Sequence, residues 1–304
     1  MKSRLHKTTK NLVMTLAMPV IVYVFFKIIC TMNGAMGFGV DSDLNNIILN
    51  TIYTGMIALA VSYNLTSGRF DFSVGSVLIL SIIVGASVAK AFDVGPMGML
   101  AVTVLVGALL GTISGLVYVW LRLPPMIVSL GVAMVYEAIA YRFNDGTGVK
   151  LIGRRDLLIY AKQPYNIIIL AVVLAVLIFI LNYTKFGYNT NSLRSGQQIT
   201  VNVGVNEKVN AVKCYMIAGI LLGIAGVIYI SQYGSIAPST GLSSSSFIMG
   251  AFLPIFIGGA IGKYSDRNVG VIIGAFVQAT ITAGFAKLGL SSSLQLVLNG
   301  VIVM

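Results

Sequence analysis

The sequence predicts an all-α, polytopic transmembrane bundle of about ten spans with broken helices, and three observations carry that expectation. Only 10% of the 304 residues are charged, while 57% are hydrophobic and the mean hydropathy is +0.92. Soluble domains carry about 25% charged residues, so this chain has too little charge to cover a water-facing surface of its size. Apolar runs of membrane length then recur from one end of the chain to the other. Together these features exclude soluble globular, disordered and nucleic-acid-binding classes. The net charge of +11 reads as charges flanking membrane spans rather than as a nucleic-acid footprint. A single membrane domain over residues 1–304 is expected.

The candidate spans are 11–30, 45–66, 72–90, 98–121, 126–141, 165–183, 214–233, 247–262, 268–286 and 293–304. The first follows Lys2, Arg4, Lys7 and Lys10 and resembles a signal peptide. Its apolar stretch from Leu12 to Cys30 exceeds the ~7–15 residues of a signal core, which predicts an uncleaved helix with a cytoplasmic N-terminus. Segments 126–141 and 247–262 are short for full crossings. So is 293–304, which as a helix reaches ~18 Å against a hydrocarbon core of ~30 Å. The chain stops at Met304 within that apolar run.

A cytoplasmic start places 12 of the 20 Lys and Arg residues inside, with only Asp71, Glu207 and Asp266 as inside acids. That bias fits the rule that cytoplasmic loops are basic. Residues 142–164 resist, because Arg142, Lys150, Arg154, Arg155 and Lys162 fall outside. The turn formers Asp145-Gly146-Thr147-Gly148 and Gly153 predict a folded outer loop there. Cys30 and Cys214 are placed on opposite faces, too far apart for a disulfide. The one histidine, His6, leaves no basis for a metal cluster or a histidine-dependent triad.

Glycine is about 11% of the chain against ~7% on average, and the excess forms small-xxx-small patterns: Gly107-Gly111-Gly115, Gly219-Gly223 and Gly270-Gly274. In lipid, helices associate through close backbone approach at such residues, which predicts a packing role. A weak internal echo relates 122–131 to 288–300, and 64–75 to 234–246. The offset of five helices is odd and would make the halves inverted repeats, as in many transporters. Chance similarity between apolar segments is the rival explanation.

The run Asn64-Leu65-Thr66-Ser67-Gly68-Arg69-Phe70-Asp71-Phe72-Ser73-Val74-Gly75-Ser76 sets charged and polar residues between apolar segments with almost no connector. Charges near a membrane interior are costly, so they pair or line a cavity. Arg69 with Asp71 as an ion pair is one reading. Asp71 or Ser73 capping a helix that starts at Phe72 is another. A polar break lining a translocation path is the functional one, with Asn64, Gly68, Asp71, Ser73 and Gly75 as its candidate residues. Glu137 and Gln278, polar residues inside spans, join them as candidates facing a channel. Glu137 has the alternative of snorkelling outward near Arg142. Phe70, Phe72 and Tyr136 suit either stacking on a sugar ring or ordinary packing.

At this stretch the chain resembles the membrane subunit of bacterial sugar ATP-binding cassette importers, the ribose/xylose/galactose-type permeases. Their signature G-x-I-D-L-S-V-G-S is matched by Gly68, Asp71, Ser73, Val74, Gly75 and Ser76, with Phe70 and Phe72 in place of aliphatics. The run Leu123-Pro124-Pro125-Met126-Ile127-Val128-Ser129-Leu130-Gly131 is similar to V-P-P-F-I-V-T-L-G, and Leu288-Gly289-Leu290-Ser291-Ser292 to L-G-V-S-S. The resemblance runs from about residue 45 to the end. It implies a translocation subunit in the bacterial inner membrane that binds no cofactor itself. Its implied partners are cytoplasmic ATPases that hydrolyse ATP, an extracytoplasmic solute-binding protein and a second permease subunit, the same or different.

The longest cytoplasmic segment, 184–213, is polar and longer than a connector requires, and such loops are usually functional. The family's ATPase-docking motif reads approximately G-N-E-A-A-R-L-S-G-I-N. Here Gly196, Gly204 and Asn206 are kept, Gln197, Gln198 and Thr200 lie between them, and the Glu and both alanines are missing. The resemblance implies a short coupling helix near 196–204, altered as in the divergent half of a heterodimer. At 258–270, Gly262-Lys263 lacks the preceding glycine and the following Ser or Thr of a phosphate-binding loop, so ATP must be bound by another polypeptide. An ion-gradient-driven carrier using Asp71 and Glu137 is the competing function. A membrane enzyme is rejected for want of any nucleophile-base arrangement.

Overall fold

The computed structural model describes the backbone of residues 2–34 and 38–303, and their side chains except those of residues 2–10, 12, 292, 293, 296 and 303. His6, the basic residues before position 11, Ser292 and the terminal Met304 therefore lie outside the described side chains. The chain is helical nearly throughout, and among the described residues nine stretches are long and apolar enough to cross a membrane. Residues Ser292–Val303 form a helix of 12 residues and are not among these nine stretches.

The helices are α1 (Lys2–Met32), α2 (Asp41–Thr66), α3 (Val74–Phe92), α4 (Gly95–Leu121), α5 (Pro125–Arg142), α6 (Tyr165–Tyr183), α7 (Lys185–Ser195), α8 (Gln197–Asn202), α9 (Glu207–Tyr233), α10 (Ser246–Met249), α11 (Phe252–Ile261), α12 (Arg267–Lys287) and α13 (Ser292–Val303). They fall into two compact units, Met1–Ala58 with Ala251–Met304, and Leu59–Gly250. The expected span 247–262 falls in one of the membrane-length stretches, Ser243–Ile261, which is broken into α10 and α11. The expected polar loop 184–213 is mostly helical, being α7, α8 and the start of α9.

In the first unit, α12 packs on α1 and α11. Its buried core joins Phe26, Phe38, Ile47, Leu253, Ile257 and Val277, and a Lys287–Asp43 ion pair of 3.1 Å lies at the edge. Gly270 and Gly274 lie against the backbone of Gly258 and Pro254 in α11.

The second unit is built on the α4–α9 interface, its most extensive helix contact, with α3 packed on both and α5 against α3. The glycine pattern explains this interface. A Cβ on Gly107 would collide with the Gly219 carbonyl and one on Gly219 with the Gly107 carbonyl, while Gly111 faces the Tyr215 carbonyl and Gly223 that of Thr103. The two backbones meet because neither side has an atom in the way. On the far sides of α4, α5 and α6, Leu105, Trp120, Met134 and Phe179 are exposed, as faces turned to lipid require.

The 142–164 segment is folded, as its turn formers predict. Its strand β1 (Val149–Lys150) pairs antiparallel with β2 (Ser235–Ile236), just beyond α9. Arg154 pairs with Asp93 and with Asp156, the latter at 2.9 Å. The Arg154 guanidinium lowers the Asp156 carboxyl below its ordinary range. A carboxylate lowered in the folded state stabilises fully above its unfolded value of ~3.9 and loses that contribution as pH falls through the native value. Thermal stability of Asp156→Asn should therefore differ from wild type at pH 7 and converge with it at acid pH, once the native carboxylate is protonated. Being exposed, the pair makes this a small effect.

Candidate functional site

The motif Gly68 to Ser76 folds as a break between α2 and α3, and each signature residue has a local reason. Helix α2 is closed by a Schellman turn: the Arg69 N–H donates to the Asn64 carbonyl (2.9 Å) and the Gly68 N–H to that of Leu65 (3.1 Å). Gly68 occupies the left-handed position at φ +74° that this turn requires. Asp71 then accepts both the Ser73 N–H (2.9 Å) and the Ser73 hydroxyl (2.6 Å), which folds the chain back into α3. Helix α3 begins at Val74 rather than Phe72, and Ser73 at its N-cap makes no side-chain cap bond.

The last signature glycine, Gly75, is a docking point. A Cβ there would collide with the Ser244 carbonyl, so residue 75 has no room for a side chain. Ser244 belongs to the second interruption noted in the sequence, 234–246. Its position reveals a re-entrant path. Ser235–Ile236 pair with the 142–164 loop, and that loop also meets the far end of α3, where Asn144 donates to Ser87 Oγ (3.0 Å). Gly75 and Ser87 are separated by ~18 Å along a helix. Residues 237–243, which span up to ~23 Å when extended, therefore run down the side of α3 to reach Gly75.

Glu137 holds the tip of this descent. It is 3% exposed and its two oxygens accept backbone N–H groups, that of Leu242 on Oε2 (2.9 Å) and that of Ser244 on Oε1 (3.0 Å). The snorkelling alternative is thereby corrected: Arg142 pairs with Asp145 at 2.9 Å, while Glu137 turns inward to satisfy donors that hydrocarbon would leave orphaned. Leu242 sits at φ +65°, a conformation unfavourable to a branched residue that the carboxylate helps to fix.

Buried polar groups cluster around these breaks. Asn64 is 1% exposed, and neither of its side-chain polar atoms has a hydrogen-bond partner among the described residues. The same holds for the hydroxyl of buried Ser244. Phe70 and Phe72 face one another with ring centroids 4.7 Å apart. Ser129, from the second motif, places its hydroxyl 3.5 Å from the Phe70 carbonyl oxygen. Tyr136 is a packing residue, with its hydroxyl donating to the Leu110 carbonyl at 2.9 Å.

The Arg69–Asp71 ion pair is not formed. Asp71 is engaged with Ser73, and Arg69, 2% exposed, sits with Nη1 3.9 Å from Glu207 Oε1. Sequence reading missed Glu207 and Ser244. Glu207 had a signal, as the one acid in the otherwise basic stretch 184–213. Gln278 lies half-buried on α12 in the other compact unit, its Oε1 without a hydrogen-bond partner among the described residues.

A short helix, α8, stands at Gln197–Asn202. Thr200 anchors it, its buried hydroxyl donating towards the carbonyls of Ser192 (2.9 Å) and Gly196 (2.8 Å). Gly204 turns the chain at φ +94°, and the Asn206 side chain caps α9 by accepting the Val209 N–H (3.2 Å). Gln197 donates to Glu207 (2.6 Å), and Gln198 is exposed. Ile199 and Val203 are 75% and 79% exposed, and Ile199 lines a depression of about 420 Å³ together with Tyr188, Asn191 and Ser195.

These features define a class: a multi-pass membrane protein in which two helix interruptions meet inside the bundle. Comparison with known proteins places it further. The family model described as branched-chain amino acid transport system / permease component matches residues 44–304, and the chain belongs to that family. It is similar to the ribose import permease protein RbsC of Escherichia coli strain K12, 23% identical over 86% of this chain and 84% of that one. RbsC of Bacillus subtilis is 27% identical, over 86% and 82%, and the D-allose transport system permease protein AlsC of E. coli is 26% identical, over 86% and 81%. No solved structure matches. The chain is thus the permease subunit of an ATP-binding cassette importer, a multi-pass protein of the bacterial inner membrane and not an enzyme.

Proposed function

We propose that this chain forms, with a second permease subunit, the pathway for a monosaccharide or a similar small polyhydroxylated solute. The observation that carries this reading is the junction of Gly68–Gly75 with 242–244, where Asn64 and Ser244 put buried polar atoms with no hydrogen-bond partner among the described residues inside an apolar bundle. Polar groups in such a setting are retained where a polar solute replaces water as their partner. The sugar names carried by the relatives support the substrate class. An ion-gradient carrier is less well supported, because both Glu137 oxygens are committed to backbone donors and Asp71 is bonded to Ser73.

In the same reading the N-terminus is cytoplasmic. Cytoplasmic ATPases dock on α7–α8, with Ile199 and Val203 as the apolar contacts around Gly196, Gln197, Gln198, Thr200, Gly204 and Asn206. A solute-binding protein delivers cargo to the face bearing the 142–164 loop. Exposed apolar side chains on a polar segment are the ordinary anchors of such contacts. Changing both Ile199 and Val203 to Asp should reduce recovery of the ATPase with the tagged permease at least ~10-fold, while the permease still elutes as a folded membrane protein. The overall test is uptake into vesicles reconstituted with permease, ATPase and binding protein. Labelled pentose or hexose should enter only with ATP present, and equal uptake without ATP would contradict the proposal.

A further inference from the structure

We propose that Arg69, Glu207 and Gln197 form the link through which movement at the ATPase-docking segment reaches the α2–α3 break, with Glu207 as its positioning residue. This rests on the docking reading above and assigns residues that reading does not contain.

Three observations carry the link. Arg69 is the largest fully buried side chain among the described residues, and its backbone closes the turn that ends α2, so it moves with the break. Its guanidinium faces Glu207 with Nη1 3.9 Å from Oε1, while Nε and Nη2 have no hydrogen-bond partner among the described residues. The same Oε1 accepts from Gln197 Nε2 at 2.6 Å, and Gln197 is the first residue of α8. A single carboxylate oxygen therefore accepts a bond from the docking helix and lies 3.9 Å from the guanidinium at the break.

The electrostatics give this chain its sensitivity. A guanidinium shut off from water is costly unless paired and hydrogen-bonded, and a closed Arg–carboxylate pair has two parallel bonds of ~2.7–2.9 Å. Here the pair is open by about 1 Å, and two of the three guanidinium nitrogens have no hydrogen-bond partner among the described residues. Glu207 itself is held at the N-terminus of α9, where the helix favours an acid. A push on α8 that draws Gln197 towards or away from Glu207 shifts the carboxylate relative to Arg69, so the break has one energy with the pair open and a lower one with it closed. Docking below and geometry at the break are then two readings of one contact.

The test uses the full importer, reconstituted with its ATPase and binding protein. Glu207→Gln keeps the shape and an acceptor for Gln197 but removes the charge that Arg69 requires, and Glu207 is partly exposed, so folding tolerates it. The expected result is normal recovery of the ATPase and a normal basal hydrolysis rate. Stimulation by loaded binding protein is lost, and solute imported per ATP falls about 10-fold, within the usual range of site-to-site coupling. Arg69→Lys, which keeps a charge, should retain more uptake than Arg69→Gln. An unchanged solute-to-ATP ratio in Glu207→Gln, or uptake falling only in step with assembled complex, would overturn the link alone. Failure of the wild-type permease to retain any ATPase would overturn the docking reading and the link with it.

Discussion

Replacing Glu137 with glutamine is expected to reduce solute uptake at least ~10-fold while the helices stay folded in the membrane. The carboxylate meets the Leu242 and Ser244 N–H groups with one oxygen each. An amide offers one oxygen and turns an NH₂ group towards the other donor, so one backbone N–H is left buried and unmatched. Each such orphan costs about 1–3 kcal/mol. Alanine removes both acceptors and should cost about 2–6 kcal/mol in the placement of 242–244. The loss is local because the segment is a re-entrant strand of irregular backbone, not a spanning helix. Uptake assays on variants matched for expression and for thermal midpoint check this, and aspartate, one carbon shorter, should fall between glutamate and alanine. Full uptake by Glu137→Ala would show that the tip of the re-entrant segment has no part in transport.

The second large effect is on stability and lies at the α4–α9 interface. Gly107→Leu or Gly219→Leu should each destabilise the protein by about 3 kcal/mol or more, because the atoms that the new side chain meets are backbone carbonyls of the facing helix and cannot rotate away. The two glycines face one another, so the double variant should lose less than the sum of the singles. Gly131→Ala supplies the contrast: nothing lies within 4 Å of a Cβ there, and in a helix the change should be neutral or stabilise by up to ~1 kcal/mol. Thermal midpoints of the purified protein in detergent measure all four. Equal midpoints for the interface and contrast variants would remove the packing role.

Much of this is legible in the sequence. The helical membrane class follows from charge content, and the packing glycines follow from their spacing, since both are local statistics that lipid imposes directly. The break at 64–76 was visible because polar residues between apolar runs demand a physical reason. What failed was partner choice. Arg69 and Asp71 are two residues apart and of opposite sign, yet Asp71 folds onto Ser73 and Arg69 reaches Glu207, 138 positions away. Glu137 similarly finds backbone donors 105 and 107 positions away, and no side-chain pattern announces a carboxylate whose partners are main-chain groups. The interruption at 234–246 was noted, but its contact with Gly75 depends on how far the segment descends beside α3, which sequence does not encode locally. The polar stretch 184–213 shows in sequence only the short helix that the resemblance implies near 196–204; α7 is polar and only 11 residues long, started by the Thr184 cap, and carries no apolar run that would announce it.

One measurement bears most directly on whether solute passes the junction of the two breaks. Ser73→Cys and Ser244→Cys, each placed in a protein lacking Cys30 and Cys214, would be exposed to a small charged thiosulfonate in reconstituted importer. Both cysteines should be modified through water, more slowly when the transported sugar is present, and at rates that change when ATP is bound by the partner. Modification of neither by the charged reagent in any nucleotide state, while a lipid-soluble maleimide reacts freely, would place the junction away from the route.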